Sequence, residues 1–213
     1  MFFGYVAGGV DPATGDMYYV DRNGESTFTP APEDRTFIGN PNPDFLYGMT
    51  NTFEFKNFGL SIFLQGSQGN DMFNATKVET EGMSDAKNQS IDVKNRWRNP
   101  GDATDIPRAV WGSTNNSRIS TRFVEDGSYL RVKAVTLSYM IPPSVLSKAN
   151  LSNVKIYVTG ENLLTLTDYS GFDPEVSAYA TSEENRTKNT ALGVDFGTYP
   201  QTRNLIVGVN ISF

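Results

Sequence analysis

A chain of 213 residues with 38% hydrophobic content can bury one good core, so residues 1–213 are expected to form one domain, or one part of a larger one. A formal charge of -6 and a pI near 4.7, with no basic run, exclude nucleic acid as a partner, because phosphate binding depends on clustered Lys and Arg. The absence of Cys and His removes thiolate catalysis, disulfides, imidazole acid–base chemistry and most transition-metal sites, leaving oxygen ligands alone.

The pattern predicts six strands. The first covers "FFGYVAG" (2–8), and a polar connection rich in Gly, Asn, Asp and Thr follows over 9–44. In "FLYGMTNTFEF" (45–55) Phe45, Tyr47, Met49, Phe53 and Phe55 share one face, opposite Leu46, Gly48, Thr50, Thr52 and Glu54. Residues 56 and 57 then make a tight hairpin with Asn57. In "FGLSIFLQGSQG" (58–69) Phe58, Leu60, Ile62 and Leu64 oppose Gly59, Ser61, Phe63 and Gln65. A second polar connection covers 70–127, and "YLRVKAVTLSYMI" (129–141) is the fourth strand. "PPSVLSKANLS" (142–152) makes a compact, briefly helical turn into "NVKIYVTGEN" (153–162). A third polar connection, 163–202, leads to the last strand, 203–213, where Leu205, Val207, Val209, Ile211 and Phe213 oppose Asn204, Gly208, Asn210 and Ser212.

Short and long connections alternate strictly. In an antiparallel array this gathers the short turns at one end and the long loops at the other, the asymmetry of outer-membrane barrels. No stretch approaches the ~18 apolar residues of a membrane helix, whereas barrel strands need only about 9–11 alternating residues. The expected fold class is all-β, an antiparallel transmembrane β-barrel segment with long extracellular loops. A secreted carbohydrate-binding β-sandwich and a small structural outer-membrane barrel use the same alternation and stay open as alternatives.

Four stretches carry a family resemblance: "RTFIGNPNPDFLYGMTNTFEFKNFGLSIFLQGSQGNDMFN" (35–74), "RFVEDGSYLRVKAVTLSYMIP" (122–142), "VTGENLLTLTDYSGFDPEVS" (158–177) and "GVDFGTYPQTRNLIVGVNISF" (193–213). Together they resemble the C-terminal barrel region of SusC/RagA-type TonB-dependent outer-membrane transporters of the Bacteroidota. The resemblance implies a bacterial outer-membrane location and active import of an oligosaccharide or peptide. It also implies as partners a SusD-like surface lipoprotein, the rest of the barrel with its plug, and TonB acting through that plug. Such barrels have about 22 strands, so six strands would supply roughly a quarter, and the plug and N-terminal strands are expected elsewhere. Phe213 resembles the terminal aromatic by which the assembly machinery recognises barrel clients, and it would also suit an interfacial aromatic girdle.

Candidate substrate contacts are Trp97, Trp111, Tyr169 and Phe172, whose rings could stack on a ligand, with Glu54 and Gln65 joining Thr52 and Ser61 on the lumen side. The competing reading makes both Trp rings loop pins and Tyr169 and Phe172 braces of the turn at Asp173–Pro174. "DRNGE" (21–25) places oxygens of Asp21, Asn23 and Glu25 at alternate positions, as calcium loops do, but Ser26 and Pro32 replace the turn Gly and the closing Glu. A plain Asx-type turn is therefore expected, with no metal or cofactor. Carboxylate pairs such as Glu79 with Glu81 and Glu183 with Glu184 are not positioned for glycoside hydrolysis by anything in the sequence, and no enzyme is expected.

Overall fold

The computed structural model describes residues 1–147, 151–175 and 192–213. In chain order its first strands are β1 (Phe2–Gly4), β2 (Val6–Val10), β3 (Met17–Val20), β4 (Ser26–Thr27) and β5 (Thr36–Gly39). The hairpin β6 (Phe45–Phe55) and β7 (Phe58–Gln68) precedes β8 (Asp71–Asn74) and helix α1 (Ala75–Glu81). After several single 3-10 turns come β9 (Val124–Asp126), β10 (Tyr129–Met140), helix α2 (Pro143–Leu146), β11 (Asn153–Thr167), β12 (Val194–Asp195) and β13 (Asn204–Ser212). These elements fall into two compact units.

One unit, built from residues 44–68, 128–168 and 200–213, is a single antiparallel sheet in the order β13-β11-β10-β7-β6. Its register sorts the side chains. Tyr139 lies opposite Phe58 and Ile156, Leu137 opposite Leu60 and Val158, and Val158 opposite Val207, so one face carries an apolar field that Asn51, opposite Ile62, interrupts on β6. The other face carries rows such as Thr52–Ser61–Thr136–Thr159, in which the Thr136 and Thr159 hydroxyls meet at 2.8 Å. The apolar field stays in the open: Leu205 is 76% exposed and Phe55 70%. A sandwich would bury that face under a second sheet, and a small closed barrel would pair β6 with β13, yet the sheet is open and its apolar face uncovered.

The tight turn after β6 forms as the sequence predicts, with Phe55 opposite Phe58, but the positive φ sits at Lys56 (54°) rather than at Asn57. Asn57 instead ties the turn to the neighbouring strand. Its Nδ2 donates to the Met140 carbonyl at 2.8 Å, and its own carbonyl accepts from the Met140 amide at 2.8 Å. The α2 turn lies at the same end, and its 142–152 segment is briefly helical as predicted, residues 148–150 lying outside the described residues.

Strand β10 departs from simple alternation, which would place Arg131 and Lys133 beside Val135, Leu137 and Tyr139 on the apolar face. Val132 opposes Leu64 while Ala134 opposes Phe63, so Lys133 is an extra residue against β7. On the other side Val132 opposes Leu164 and Ala134 opposes Glu161, with Asn162 at a φ of 52° taking up the slack. This double bulge returns Leu130 and Val132 to the apolar face. Arg131 comes to the polar face, where its Nε donates to Thr165 Oγ1 at 2.9 Å.

Close packing of large on small residues pins the register. A Cβ added at Gly66 would strike the Tyr47 ring and come within 2.6 Å of the Tyr129 carbonyl oxygen. Gly66→Ala is expected to cost about 1–3 kcal/mol, because backbone cannot yield as a side chain can. Thermal melting in detergent would show it, and adding Tyr47→Ala should restore only part of the loss.

The other unit collects residues 1–43, 69–127 and 169–199. Most of this is polar connection by sequence, yet it folds. Residues 2–8, expected as a sixth wall strand, are split: β1 pairs with β5, and β2 with β3, at a break where Tyr5 turns inward to pack with Met17 and Tyr19. A third small sheet, β12-β8-β9, packs Met72 against Tyr169.

Candidate functional site: a polar cavity among the connecting segments

Helix α1 starts at Asn74, whose side chain accepts from the Lys77 amide at 2.9 Å and so satisfies one of the helix's free N–H groups. It presents Thr76, Lys77, Thr80 and Glu81 to a cavity of about 980 Å3 that lies wholly within this unit. Segments 88–95 and 104–106 add amides and hydroxyls, Arg122 adds a cation, and Ser170, Gly171 and Phe172 complete the lining with Asp195.

Three polar hubs hold this lining in place. Arg122 Nη2 donates to Glu81 Oε2 at 2.6 Å, with side chains only 9% and 4% exposed. Burial pushes the Glu81 carboxyl up and the Arg122 guanidinium down from their ordinary values, so the pair is held by mutual need rather than by solvent. Glu125 accepts from the Ser170 amide and hydroxyl at 2.8 and 2.9 Å and faces Lys77 Nζ at 3.4 Å. Burial opposes its ionisation, but these donors outweigh burial and hold its carboxyl below the usual range. Asp195 accepts from the Tyr169 hydroxyl at 2.8 Å and from the Thr198 amide at 3.2 Å. Burial, reinforced by the Asp195 carboxylate, raises the Tyr169 phenol far above its ordinary value.

The aromatic residues singled out by sequence divide sharply. Tyr169 is 5% exposed with its hydroxyl engaged, so it is a strut rather than a ligand contact. Tyr169→Phe is expected to cost about 1–3 kcal/mol, since it leaves a buried carboxylate short of a donor; faster amide exchange across β12 would report it. Phe172, 71% exposed, does line the cavity. The turn at Asp173 is held by its own Oδ1, which accepts from the Glu175 amide at 2.9 Å. Trp97 pins its loop: it packs on Gly15 and donates from Nε1 to the Pro12 carbonyl at 3.0 Å. Trp111 is 76% exposed and away from the cavity lining.

Glu54 and Gln65 lie on the polar face of the five-stranded sheet with Thr52 and Ser61. Phe213 follows the last β13 residue at the end where the tight turns gather. Asp21 Oδ1 accepts from the Asn23 and Glu25 amides at 2.8 Å each, an Asx turn that commits this oxygen to the backbone. No group of three acidic residues suited to a metal is found among the described residues. Glu79 and Glu81 do not act together, since Lys87 takes the first and Arg122 the second; Glu183 and Glu184 lie outside the described residues. Sequence reasoning missed Arg122, Asn88, Gln89 and Asp195, whose partners are distant in the chain and leave no local signal.

An antiparallel sheet with one apolar and one polar face, tight-turned at one end, has the make-up of a wall segment of a transmembrane β-barrel. No family model matches the chain. Over 208 residues, 98% of the chain, it is 39% identical to TonB-dependent receptor P3 of Formosa agariphila, and over 204 residues it is 33% identical to TonB-dependent receptor P26 of that organism. It is 26% identical over 203 residues to TonB-dependent receptor SusC of Bacteroides thetaiotaomicron. The chain spans 20% of the length of P3 and P26 and 17% of SusC. All of it superposes on 23% of a chain of the RagAB peptide importer in the closed-closed state, with a TM-score of 0.80 and 25% identity. A second RagAB structure gives a TM-score of 0.83 at 23% identity, a likeness of fold. The chain thus matches a fragment of a SusC/RagA-type TonB-dependent receptor.

Proposed function

We propose that this chain supplies the C-terminal part of the barrel wall, and the long connections between its strands, in a TonB-linked importer of the bacterial outer membrane. The observation that carries the reading is the sheet itself, whose apolar field lies open on one face while hydroxyls, amides and charges occupy the other. In lipid the first face needs no cover, and the second lines an aqueous lumen.

The cargo is a nutrient too large for a porin, an oligosaccharide or a peptide, and peptide import by the RagAB relative supports cargo of that size. A SusD-like surface lipoprotein would close over the loops. The plug inside the same barrel would pass on the pull of TonB. The relatives are receptors and importers rather than enzymes, consistent with the absence of His and Cys chemistry.

The test is isolation of the intact receptor from outer membranes in mild detergent, with its companions identified by mass spectrometry. The expected result is a plug-bearing barrel with a SusD-like lipoprotein at matching stoichiometry. Recovery of the chain as a water-soluble monomer without either partner would overturn the proposal.

A further inference from the structure

The charges around the cavity within the loop unit are unevenly spent. Arg122 is committed to Glu81, Lys77 faces Glu125, and Asp195 serves Tyr169 and Thr198. Asp92 and Asp105 also line the cavity, are exposed, and have no ion-pair partner among the described residues. Every cation of the lining is thus matched inside the protein, while Asp105, and the one Asp92 oxygen that does not accept from Ser90 Oγ (2.7 Å), remain open to whatever enters.

What remains for a ligand is mostly uncharged. The side-chain amides of Asn88, Gln89 and Asn95 line the cavity, are exposed and make no side-chain hydrogen bond among the described residues. Each amide offers both donors and acceptors, which suits a hydroxyl that must do both at once. Phe172 contributes an open ring face to the same lining. A peptide would need a free strand edge or pockets for its side chains, whereas this lining offers few apolar side chains beyond Phe172. The volume of about 980 Å3 has room for a few sugar rings.

We infer that this cavity binds a short uncharged oligosaccharide and rejects acidic ones, with Phe172 as stacking platform and Asp92 and Asp105 as selectivity residues. The inference rests on the importer reading and sharpens it. Discrimination arises by repulsion: a uronate or sulfate brought near two carboxylates that have no ion-pair partner, in a lining whose described cations Lys77 and Arg122 are already paired, loses more than it gains.

The test uses the intact detergent-solubilised receptor on an array of neutral hexasaccharides in gluco, manno and galacto configuration, hexagalacturonate, and short peptides. Wild type should retain at least one neutral hexasaccharide and not hexagalacturonate. Phe172→Ala should weaken that retention about tenfold, the scale of one aromatic stacking contact. The double variant Asp92→Asn with Asp105→Asn should raise the ratio of hexagalacturonate to neutral retention, and added salt should shrink the wild-type discrimination, because both carboxylates are exposed.

Retention of hexagalacturonate by wild type as tightly as neutral chains, or indifference of the neutral ligand to Phe172→Ala, would overturn the inference. So would retention of peptides alone, or of nothing, although the importer reading would survive those two results. A receptor that fails to partition into the outer membrane would sink the importer reading instead.

Discussion

Replacing Arg122 with Met is expected to cost the loop unit about 3–5 kcal/mol of local stability, because it leaves the Glu81 carboxylate buried without its cation. The pair spans 41 positions of sequence, linking the end of α1 to the approach to β9, so its loss should loosen both. Hydrogen exchange of the intact receptor should show faster exchange over 75–82 and 116–124 while the wall strands stay protected. The double variant with Glu81→Met as well should recover most of the loss, since apolar side chains of similar volume remove the desolvation cost along with the attraction.

The pH dependence of that defect has a definite sign. Burial raises the Glu81 carboxyl above its ordinary value, so the folded unit binds this proton more readily than the unfolded chain does. Its titration therefore contributes stability that is fully present below the ordinary carboxylate range and is lost as pH rises through the higher folded value. Without Arg122 the carboxyl rises further, and the variant should approach wild-type protection on acidification and diverge from it as pH rises.

The second large effect concerns the sheet. Ile62→Arg is expected to destabilise the inserted barrel by about 2–4 kcal/mol, the scale for a cation facing lipid near mid-membrane. Ser61→Arg, one residue away on the opposite face, should cost far less. Ile62 lies near the middle of β7 between Asn51 and Val135, whereas Ser61 lies in the row of Thr52, Thr136 and Thr159. Urea titration of folding into detergent or lipid would measure both, and equal effects would contradict the assignment of faces.

Much of the wall was legible because period-two alternation is written residue by residue. The 45–55 and 58–69 segments fold almost as read, and the faces of Leu205, Val207, Val209 and Ile211 are as predicted. Strand β11 runs to Thr167, five residues beyond the expected end, because Asn162 turns through a positive φ without breaking the ladder. The bulge at Lys133 hid for the same reason: one inserted residue reverses every later side chain, and a strict alternation rule cannot see it. In the sequence the loop unit looks like connection alone. Its pairings are short and distant, like those joining β1 to β5 and Tyr5 to Ser120, although Met17 and Tyr19 alternating ahead of Asn23–Gly24 did carry a hairpin signal. Of the candidate site only Phe172, and Glu81 in a different role, could be picked from sequence. The others gain meaning only when segments far apart in the chain meet around one cavity.

The small pairing of β8 with β9 bears on how fast the wall can assemble. β6 and β7 are joined by two residues and can zip in microseconds. The β7–β10 ladder must instead wait for the chain between Gln68 and Tyr129 to close on itself, a search whose entropic cost grows with loop length. Asp71 pairs with Asp126 and Gly127 donates to the Asn70 carbonyl at 2.8 Å, which brings together the two ends of exactly that stretch. Once those contacts form, Gln68 and Tyr129 are separated by a few residues instead of the whole insertion. The insertion thereby acts as its own clasp, and mutations that open the clasp should slow barrel assembly even where they leave the finished sheet unchanged.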